Sequence, residues 1–286
     1  MIFLDGDFEL EVIFADHLGF CYGVKRAIHI ARQSAQNPPA YTLGSIIHNP
    51  QMVERLKSEG IGVVENLDEV SEGTIIIRSH GVAPKIYDEI RRKGLNLIDA
   101  TCPHVKKAQL SAKSLVDEGY QVVIIGEKNH PEVKSIFEWS DQKATIIESE
   151  SEAQNFPEVD RLGIVSQTTF SRKKFSDIVL ILLEKSRDMK ILRTICDATE
   201  HRQIAAIDLA SKVDLMLVIG GKNSANTSRL ASLCAQKVQT YHVETAAEID
   251  PNWFKGAKKI GITAGASTPD WVIEEAGQTV LSIDSQ

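Results

Sequence analysis

The 286-residue chain has no continuous apolar run of 18 residues, which excludes a membrane-spanning helix. It has no basic segment at its start. Met1 to Phe8 carries Asp5 and Asp7 and neither Lys nor Arg, so it does not read as a secretory signal, and a cytoplasmic location is expected. Cysteine is scarce: Cys21, Cys102, Cys196 and Cys234 are far apart and none belongs to a CxxC pair. That excludes a disulfide scaffold and a zinc knuckle, and leaves metal binding, catalysis or burial for reduced thiols. An excess of positive charge is also missing. Against 32 Lys and Arg stand 39 Asp and Glu, a net charge of −7, which argues against general binding to nucleic acid or to anionic membranes. There is no low-complexity segment and no long linker.

What is present is an ordinary globular balance, 43% hydrophobic and 25% charged. Strand-like and helix-like segments alternate along it. Ile61–Val64, Thr74–Ile77, Gln121–Ile125 and Leu215–Ile219 are short apolar runs of the kind that form buried parallel strands. Glu11–Ala15, Ala144–Ile147, Leu162–Val165 and Ile191–Thr194 also read as strands. Helical spacing of apolar residues marks Val24–Ala31, Gln51–Ser58, Lys85–Lys93, Val105–Glu118, Arg172–Ser186, Gln203–Lys212 and Ser228–Gln236, and a last helix follows Pro269. Repeated βα units predict an α/β fold with parallel sheets covered by helices.

Length alone suggests two domains, but internal repetition suggests three. The stretches Gly19-Phe20-Cys21-Tyr22-Gly23, Ala100-Thr101-Cys102-Pro103 and Thr194-Ile195-Cys196-Asp197 each place a cysteine between a strand and a helix, at intervals of 81 and 94 residues. Each cysteine is followed, 27, 28 and 28 residues later, by His48, His130 or Ser224 in a glycine-led polar loop. A third loop follows at His80, Thr168 and Ser267. The expected domains are 9–100, 101–193 and 194–286, arranged about a pseudo-threefold axis. Loops at the C-terminal ends of parallel strands would then meet in a central cavity. Residues 1–8 read as an extension ahead of this repeat.

A thiol beside a helix N-terminus is stabilised as a thiolate. Three such thiols suit a metal with one coordination position left open: either zinc with a water or, as iron prefers thiolates, an iron–sulfur cluster. Cys234 lies inside a helix without a counterpart and reads as core. The polar loops are rich in His, Ser, Thr and Asn and precede helices, a composition suited to a phosphate or diphosphate. Glu132 is the carboxylate in these loops best placed to deliver protons, unless it merely complements a helix dipole. Lys106 and Lys107 read as a solvated face. Three functions remain open at this point: a reductive enzyme, an iron–sulfur sensor that binds a diphosphate, and a zinc-dependent hydrolase with Glu132 as base.

Taken together, the motifs resemble a known family. They are Gly-Phe-Cys-x-Gly-Val-x-Arg-Ala at 19–27, His-Asn at 48–49, Ser-His-Gly-Val at 79–82, Asp-Ala-Thr-Cys-Pro at 99–103 and His-Pro-Glu-Val at 130–133. Gln-Thr-Thr at 167–169, Ile-Cys-x-Ala-Thr-x-x-Arg-Gln at 195–203, Lys-Asn-Ser-x-Asn at 222–226 and Thr-Ala-Gly-Ala-Ser at 263–267 continue the order. The chain resembles the 4-hydroxy-3-methylbut-2-enyl diphosphate reductases of the methylerythritol phosphate route to isoprenoid precursors, from about Glu11 onwards. The resemblance implies a [4Fe–4S] cluster on Cys21, Cys102 and Cys196, with the substrate hydroxyl on the iron that lacks a cysteine. It implies a diphosphate held by His48, His80, Ser224, Asn226 and Ser267. His130, Thr168 and Glu132 would surround the hydroxyl, with Glu132 relaying protons. Isopentenyl and dimethylallyl diphosphate would be the products, and a ferredoxin- or flavodoxin-type electron donor is expected. Two positions depart from the family pattern. Ala225 stands where many members have serine, and Tyr22 is bulky where some have a small residue.

Overall fold

The computed structural model describes residues 10–283. The proposed extension, residues 1–8, lies outside the described residues. In chain order, β1 (Glu11–Phe14) leads to α1 (Tyr22–Ser34), β2 (Ala40–Leu43), α2 (Pro50–Ser58) and β3 (Ile61–Val64). Then come β4 (Thr74–Ile77), α3 (Pro84–Arg92), β5 (Asn96–Asp99), α4 (Pro103–Asp117) and β6 (Gln121–Ile125). They are followed by α5 (Pro131–Trp139), β7 (Thr145–Ile147), α6 (Glu150–Gln154), β8 (Val159–Ser166), α7 (Arg172–Leu183) and β9 (Ser186–Ile191). The last elements are α8 (Asp197–Ala210), β10 (Leu215–Ile219), α9 (Ala225–Ala235), β11 (Gln239–Val243), β12 (Lys259–Ala264) and α10 (Asp270–Ile283).

The strands form three four-stranded sheets, ordered β3-β2-β4-β5, β7-β6-β8-β9 and β11-β10-β12-β1. Every ladder is parallel, as the βα alternation requires. The three orders are the same order. In each, the chain enters at the second position, steps out to the edge and crosses back over its first strand to the third position; in the first two sheets it then ends at the far edge. The fourth strand of the third sheet is β1, from the other end of the chain: Val12 is in register with Ile260 and Phe14 with Ile262. Sequence order alone groups that strand with the first repeat.

Two compact units result. One is Tyr22–Asp197, which holds the first two sheets; the other joins the residues through Cys21 to Ala198–Gln286 and holds the third. In both, the inner strands are apolar on both faces. Thr74–Ile77 and Leu215–Ile219 are buried at every residue. Fully burying one such isoleucine is worth roughly 1.5–3 kcal/mol, so these runs fix which strands lie inside. Helices Val105-Ala108-Ala112-Leu115 and Ile178-Leu182 present apolar stripes to the second sheet.

The strand expected at Ile191–Thr194 lies earlier, at Ser186–Ile191, and the helix expected to reach Ser186 ends at Leu183. It is an edge strand with no fully buried residue, so it lacks the apolar run that marks the inner strands. Helix α5 carries no apolar stripe in sequence, because two of its four buried residues, Glu132 and Ser135, are polar. Among the described residues no helix is long and apolar enough to cross a membrane.

Candidate functional site

The order of each sheet creates a switch point between its two inner strands, and ligands of open α/β sheets gather at the C-terminal ends there. The polar loops leave those strands. His48 follows β2 and His80 follows β4; His130 and Glu132 follow β6, and Thr168 follows β8. Ser224 and Asn226 follow β10, and Ser267 follows β12. The cysteines follow the fourth strands instead: Cys102 after β5, Cys196 after β9 and Cys21 after β1.

All three cysteines stand directly before a helix, α4, α8 and α1. The backbone N–H of each donates to a carbonyl of the loop that leaves the adjacent inner strand. Cys102 donates to Ser79 (3.0 Å), Cys196 to Thr168 (3.0 Å) and Cys21 to Ala266 (3.0 Å). Side chains shape each approach. Asp99 Oδ1 accepts the Thr101 N–H (3.0 Å), Thr194 Oγ1 donates to the Ser166 carbonyl (2.6 Å), and Arg202 Nη2 donates to the Gly19 carbonyl (2.8 Å). Gly19 has φ 76°, a conformation that suits glycine. None of the three thiols forms a disulfide, and all are partly exposed. Cys234 differs: it is fully buried in α9, and burial pushes its thiol up to about 12. It is a core residue.

In the unit Tyr22–Asp197, three imidazoles converge. Ring centroids are 4.3 Å apart for His48 and His80, 5.5 Å for His48 and His130, and 5.6 Å for His80 and His130. Ser79 draws two of the loops together, since its hydroxyl (2.9 Å) and its N–H (3.2 Å) both donate to the Ile46 carbonyl. Two helices start beside the imidazoles, each with proline as its first residue: α2 is capped by Asn49, whose Oδ1 accepts the Met52 N–H at 2.7 Å, and α5 is capped by His130. Proline there gives up no needed donor, and the two N-termini add positive potential. Burial, and after it Arg78, holds the His48 imidazole below its ordinary range. Burial holds His80 well below, helped by His48, His130 and Arg78. Nδ1 of His80 is buried with no hydrogen-bond partner among the described residues. His130 Nδ1 accepts the Glu132 N–H (3.2 Å), so its neutral ring carries the proton on Nε2 and offers it as a donor.

Glu132, 2% exposed, sits in the first turn of α5. Its Oε1 accepts the Thr168 N–H (2.5 Å) and its Oε2 accepts the Thr168 hydroxyl (2.9 Å). Burial pushes its carboxyl up to about 7, against the pull of those two bonds. A carboxyl poised there carries a proton in part of the population at neutral pH and can give it up.

In the other unit, Ser224 caps α9 by accepting the Thr227 N–H (3.4 Å), and Ser267 lies one residue from the carbonyl that Cys21 engages. Asn226 is 5% exposed and follows in the first turn. Both its Nδ2 and its Oδ1 are buried without hydrogen-bond partners among the described residues. A buried amide left so costs about 1–3 kcal/mol, a cost that a polar ligand would remove. Ala225 presents no hydroxyl here.

Sequence reasoning missed three features. Arg78 sets the potential around the imidazoles, yet it lies in the chain as the plain neighbour of Ser79-His80. Buried Gln109 donates to Ser135 Oγ and packs under Gly81, bracing the His80 loop against α5. Lys106 is not simply solvated: its Nζ lies 4.9 Å from the Tyr87 ring centroid, 4.5 Å from that of Trp139 and 3.6 Å from Asp99. His17 and His201 form an exposed, tilted pair with ring centroids 5.4 Å apart, and His242 Nε2 lies 2.9 Å from the Gly220 carbonyl; neither belongs to the histidine cluster.

Comparison with known proteins agrees with this arrangement. The family model of the LytB protein matches residues 12–281. A 4-hydroxy-3-methylbut-2-enyl diphosphate reductase of Geobacter metallireducens is 48% identical over 278 residues, 96% of this chain and 99% of the relative. A protein of the same name from Pelobacter propionicus is 48% identical over 268 residues, 93% of this chain and 96% of the relative. Among solved structures, an (E)-4-hydroxy-3-methyl-but-2-enyl diphosphate reductase, described as the terminal enzyme of the non-mevalonate pathway, matches at 44% identity and TM-score 0.69, covering 96% of this chain and 99% of its own. The Plasmodium falciparum E-1-hydroxy-2-methyl-but-2-enyl-4-diphosphate reductase matches at 31% identity and TM-score 0.88, covering 93% and 86%.

Proposed function

We propose, from the premise that the chain belongs to the LytB family of oxidoreductases, that it removes the hydroxyl of 4-hydroxy-3-methylbut-2-enyl diphosphate reductively in the cytoplasm. Two electrons and two protons enter. One proton leaves with the hydroxyl as water and the other goes to carbon, giving isopentenyl or dimethylallyl diphosphate. The donor set fits a [4Fe–4S] cluster: Cys21, Cys102 and Cys196 occupy the same station after their fourth strands, each at a helix start. Such a cluster would supply the electrons one at a time and a Lewis-acidic iron for the leaving oxygen.

The chain's own residues do the rest. His48 and His80 are neutral donors beside the start of α2, suited to a diphosphate oxygen. Ser224, Asn226 and Ser267 offer hydroxyl and amide groups from α9 and the loop after β12, and the orphaned Asn226 amide supports their use by a polar ligand. His130 presents Nε2–H toward the hydroxyl, and the Thr168 hydroxyl lies within proton reach of Glu132. The observation that carries the reading is Glu132: a buried carboxyl near neutral pKa, beside the imidazoles and bonded to the residue whose carbonyl holds Cys196.

One observation favours a second reading. Ligand atoms of His48, His80 and His130 lie within 4.8 Å of one another, a spacing that suits a metal such as zinc. The bond that Nδ1 of His130 already accepts and the cationic Arg78 weigh against it. Iron, sulfide and zinc analysis of anaerobically purified protein separates the two. The reductase reading expects a brown iron–sulfur protein that consumes the diphosphate with a reduced donor. It also expects Glu132→Gln to keep cluster and substrate binding while turnover falls about 10²–10⁴-fold, the usual worth of a general acid. A colourless, zinc-loaded, inactive protein overturns the reading, and full turnover by the variant removes Glu132 from the mechanism.

A further inference from the structure

A groove of about 630 Å³ runs along the start of α4 in the unit Tyr22–Asp197. Its charged lining is Arg26, Lys106 and Lys107 against a single carboxylate, Asp99. This balance reverses that of the whole chain, in which acids outnumber bases by 39 to 32. The one carboxylate is occupied from within: it accepts the Tyr87 hydroxyl (3.0 Å) and the Thr101 N–H (3.0 Å) and faces Lys106 at 3.6 Å. Lys106 lies over the Tyr87 and Trp139 rings. Lys107 is exposed and makes no ion pair among the described residues. Leu110, 49% exposed, and half-buried Leu192 add apolar lining to the groove. Apolar lining with a charged rim is the make-up of a protein interface.

Its place in the chain says which partner. Thr101 and Pro103 both line the groove, and Cys102 lies between them. Arg26 Nη1 donates to the Thr101 carbonyl (3.1 Å), so the cationic wall is bonded to the backbone that presents this cysteine. A molecule seated in the groove therefore touches the residues on both sides of a cysteine assigned to the cluster. A reductive dehydroxylation consumes two electrons that no residue of the chain supplies.

We infer that this groove is the docking surface for a small acidic one-electron carrier protein, which reduces the enzyme through the Cys102 side. The inference rests on the reductase reading above. In each turnover the carrier docks twice, each time losing one electron and leaving oxidised by one. The two electrons and two protons convert the substrate's C–O bond into water and a new C–H bond. Complementary charge at such a surface acts mainly on the rate of encounter and makes it depend on salt, and electron-transfer encounters use small interfaces.

The test uses anaerobic holoprotein, a reduced acidic [2Fe–2S] ferredoxin as the carrier, and reduced methyl viologen as a small reductant. Lys107→Glu and Leu110→Glu both alter exposed side chains. Each is expected to raise the KM for ferredoxin about tenfold at low salt, and Lys107→Glu to flatten its salt dependence. Iron content and viologen-driven turnover should not change. Lys185→Glu, at the other end of β9 from Leu192, should behave as the unmodified protein. Unchanged ferredoxin KM and salt dependence in both groove variants overturns the docking surface. Viologen-driven consumption of the diphosphate reads the reductase assignment separately. If that fails, calorimetric titration of the holoprotein with ferredoxin still decides the surface: weaker binding by Lys107→Glu supports it, and equal binding refutes it.

Discussion

Replacing Glu132 by glutamine should stabilise the protein, and only above acid pH. The carboxyl is 2% exposed, and burial raises its pKa from 4.5 to about 7. The folded state therefore keeps a proton that the unfolded state releases between those two values. As pH rises through this window, folding increasingly holds an unfavourable buried carboxylate, and stability falls. The contribution is fully present below pH 4.5 and fully lost above about 7. At about 1.4 kcal/mol per unit the loss is about 3.5 kcal/mol. Glutamine removes the ionisation without stranding Thr168. Its amide oxygen can take the Thr168 N–H, and its NH2 can donate to the Thr168 hydroxyl once that hydroxyl rotates. Thermal melts of anaerobically loaded protein should therefore coincide for the two proteins near pH 4.5 and separate progressively to pH 8. There the variant should melt roughly 6 °C higher, the shift that about 3.5 kcal/mol produces in a chain of this size. A gap that does not change with pH, or a variant that melts lower at pH 8, would refute the claim that burial without a countercharge sets this pKa. A gap that widens with pH as expected would show that the substitution that slows turnover also removes the cost of burying the acid, a trade expected of functional groups held in costly surroundings.

Two further predictions concern the frame of the site. Cys234→Ser should leave iron content unchanged, because the thiol is fully buried in the core with Sγ 3.8 Å from the Ala206 carbonyl, whereas Cys102→Ser should lose iron by the same assay; iron loss in both would show that the ligand set is wrong. Gly81→Ala should lower stability in urea melts by at least about 1–2 kcal/mol, because φ is +71° and the new methyl would collide with Gln109 Nε2 and crowd Ser135 Oγ (3.1 Å) and Thr101 Cγ2 (3.2 Å). The same variant should raise KM for the diphosphate by displacing His80; an unchanged KM would free the His80 loop from its brace.

What could be read from the sequence followed from how each element is stabilised. Thr74–Ile77, Gln121–Ile125 and Leu215–Ile219 coincide with the observed strands because inner parallel strands are apolar on both faces and announce themselves; Ile61–Val64, an edge strand, was legible from its apolar run alone. The station of each site residue was legible too, because glycine, proline and capping residues mark where strands end and helices begin. The start of helix α5 was legible at the His130 loop, but its extent was hidden for the opposite reason: its buried face is partly Glu132 and Ser135, so the demands of the site erased the apolar period that betrays a helix. Arg78 and Gln109 were hidden because their roles are made by neighbours distant in sequence.

The pairing of β1 with β12 was the least legible feature, and it has a physical cause. A parallel ladder needs a long crossover, and any later segment can supply the strand provided its register buries the right face. In the first two sheets the fourth strand comes from the chain that has just crossed. In the third sheet the described residues after β12 form α10, and the far edge is filled by Glu11–Phe14. That edge would otherwise expose an unpaired row of backbone groups. Covering it with β1 also gives Cys21 the station that Cys102 and Cys196 hold, three to seven residues beyond a fourth strand and directly before a helix. The N-terminal strand thus does two things at once. It closes the third sheet, and it delivers the third thiol on the same backbone path as the other two, with its N–H on the carbonyl of Ala266 as theirs are on Ser79 and Thr168.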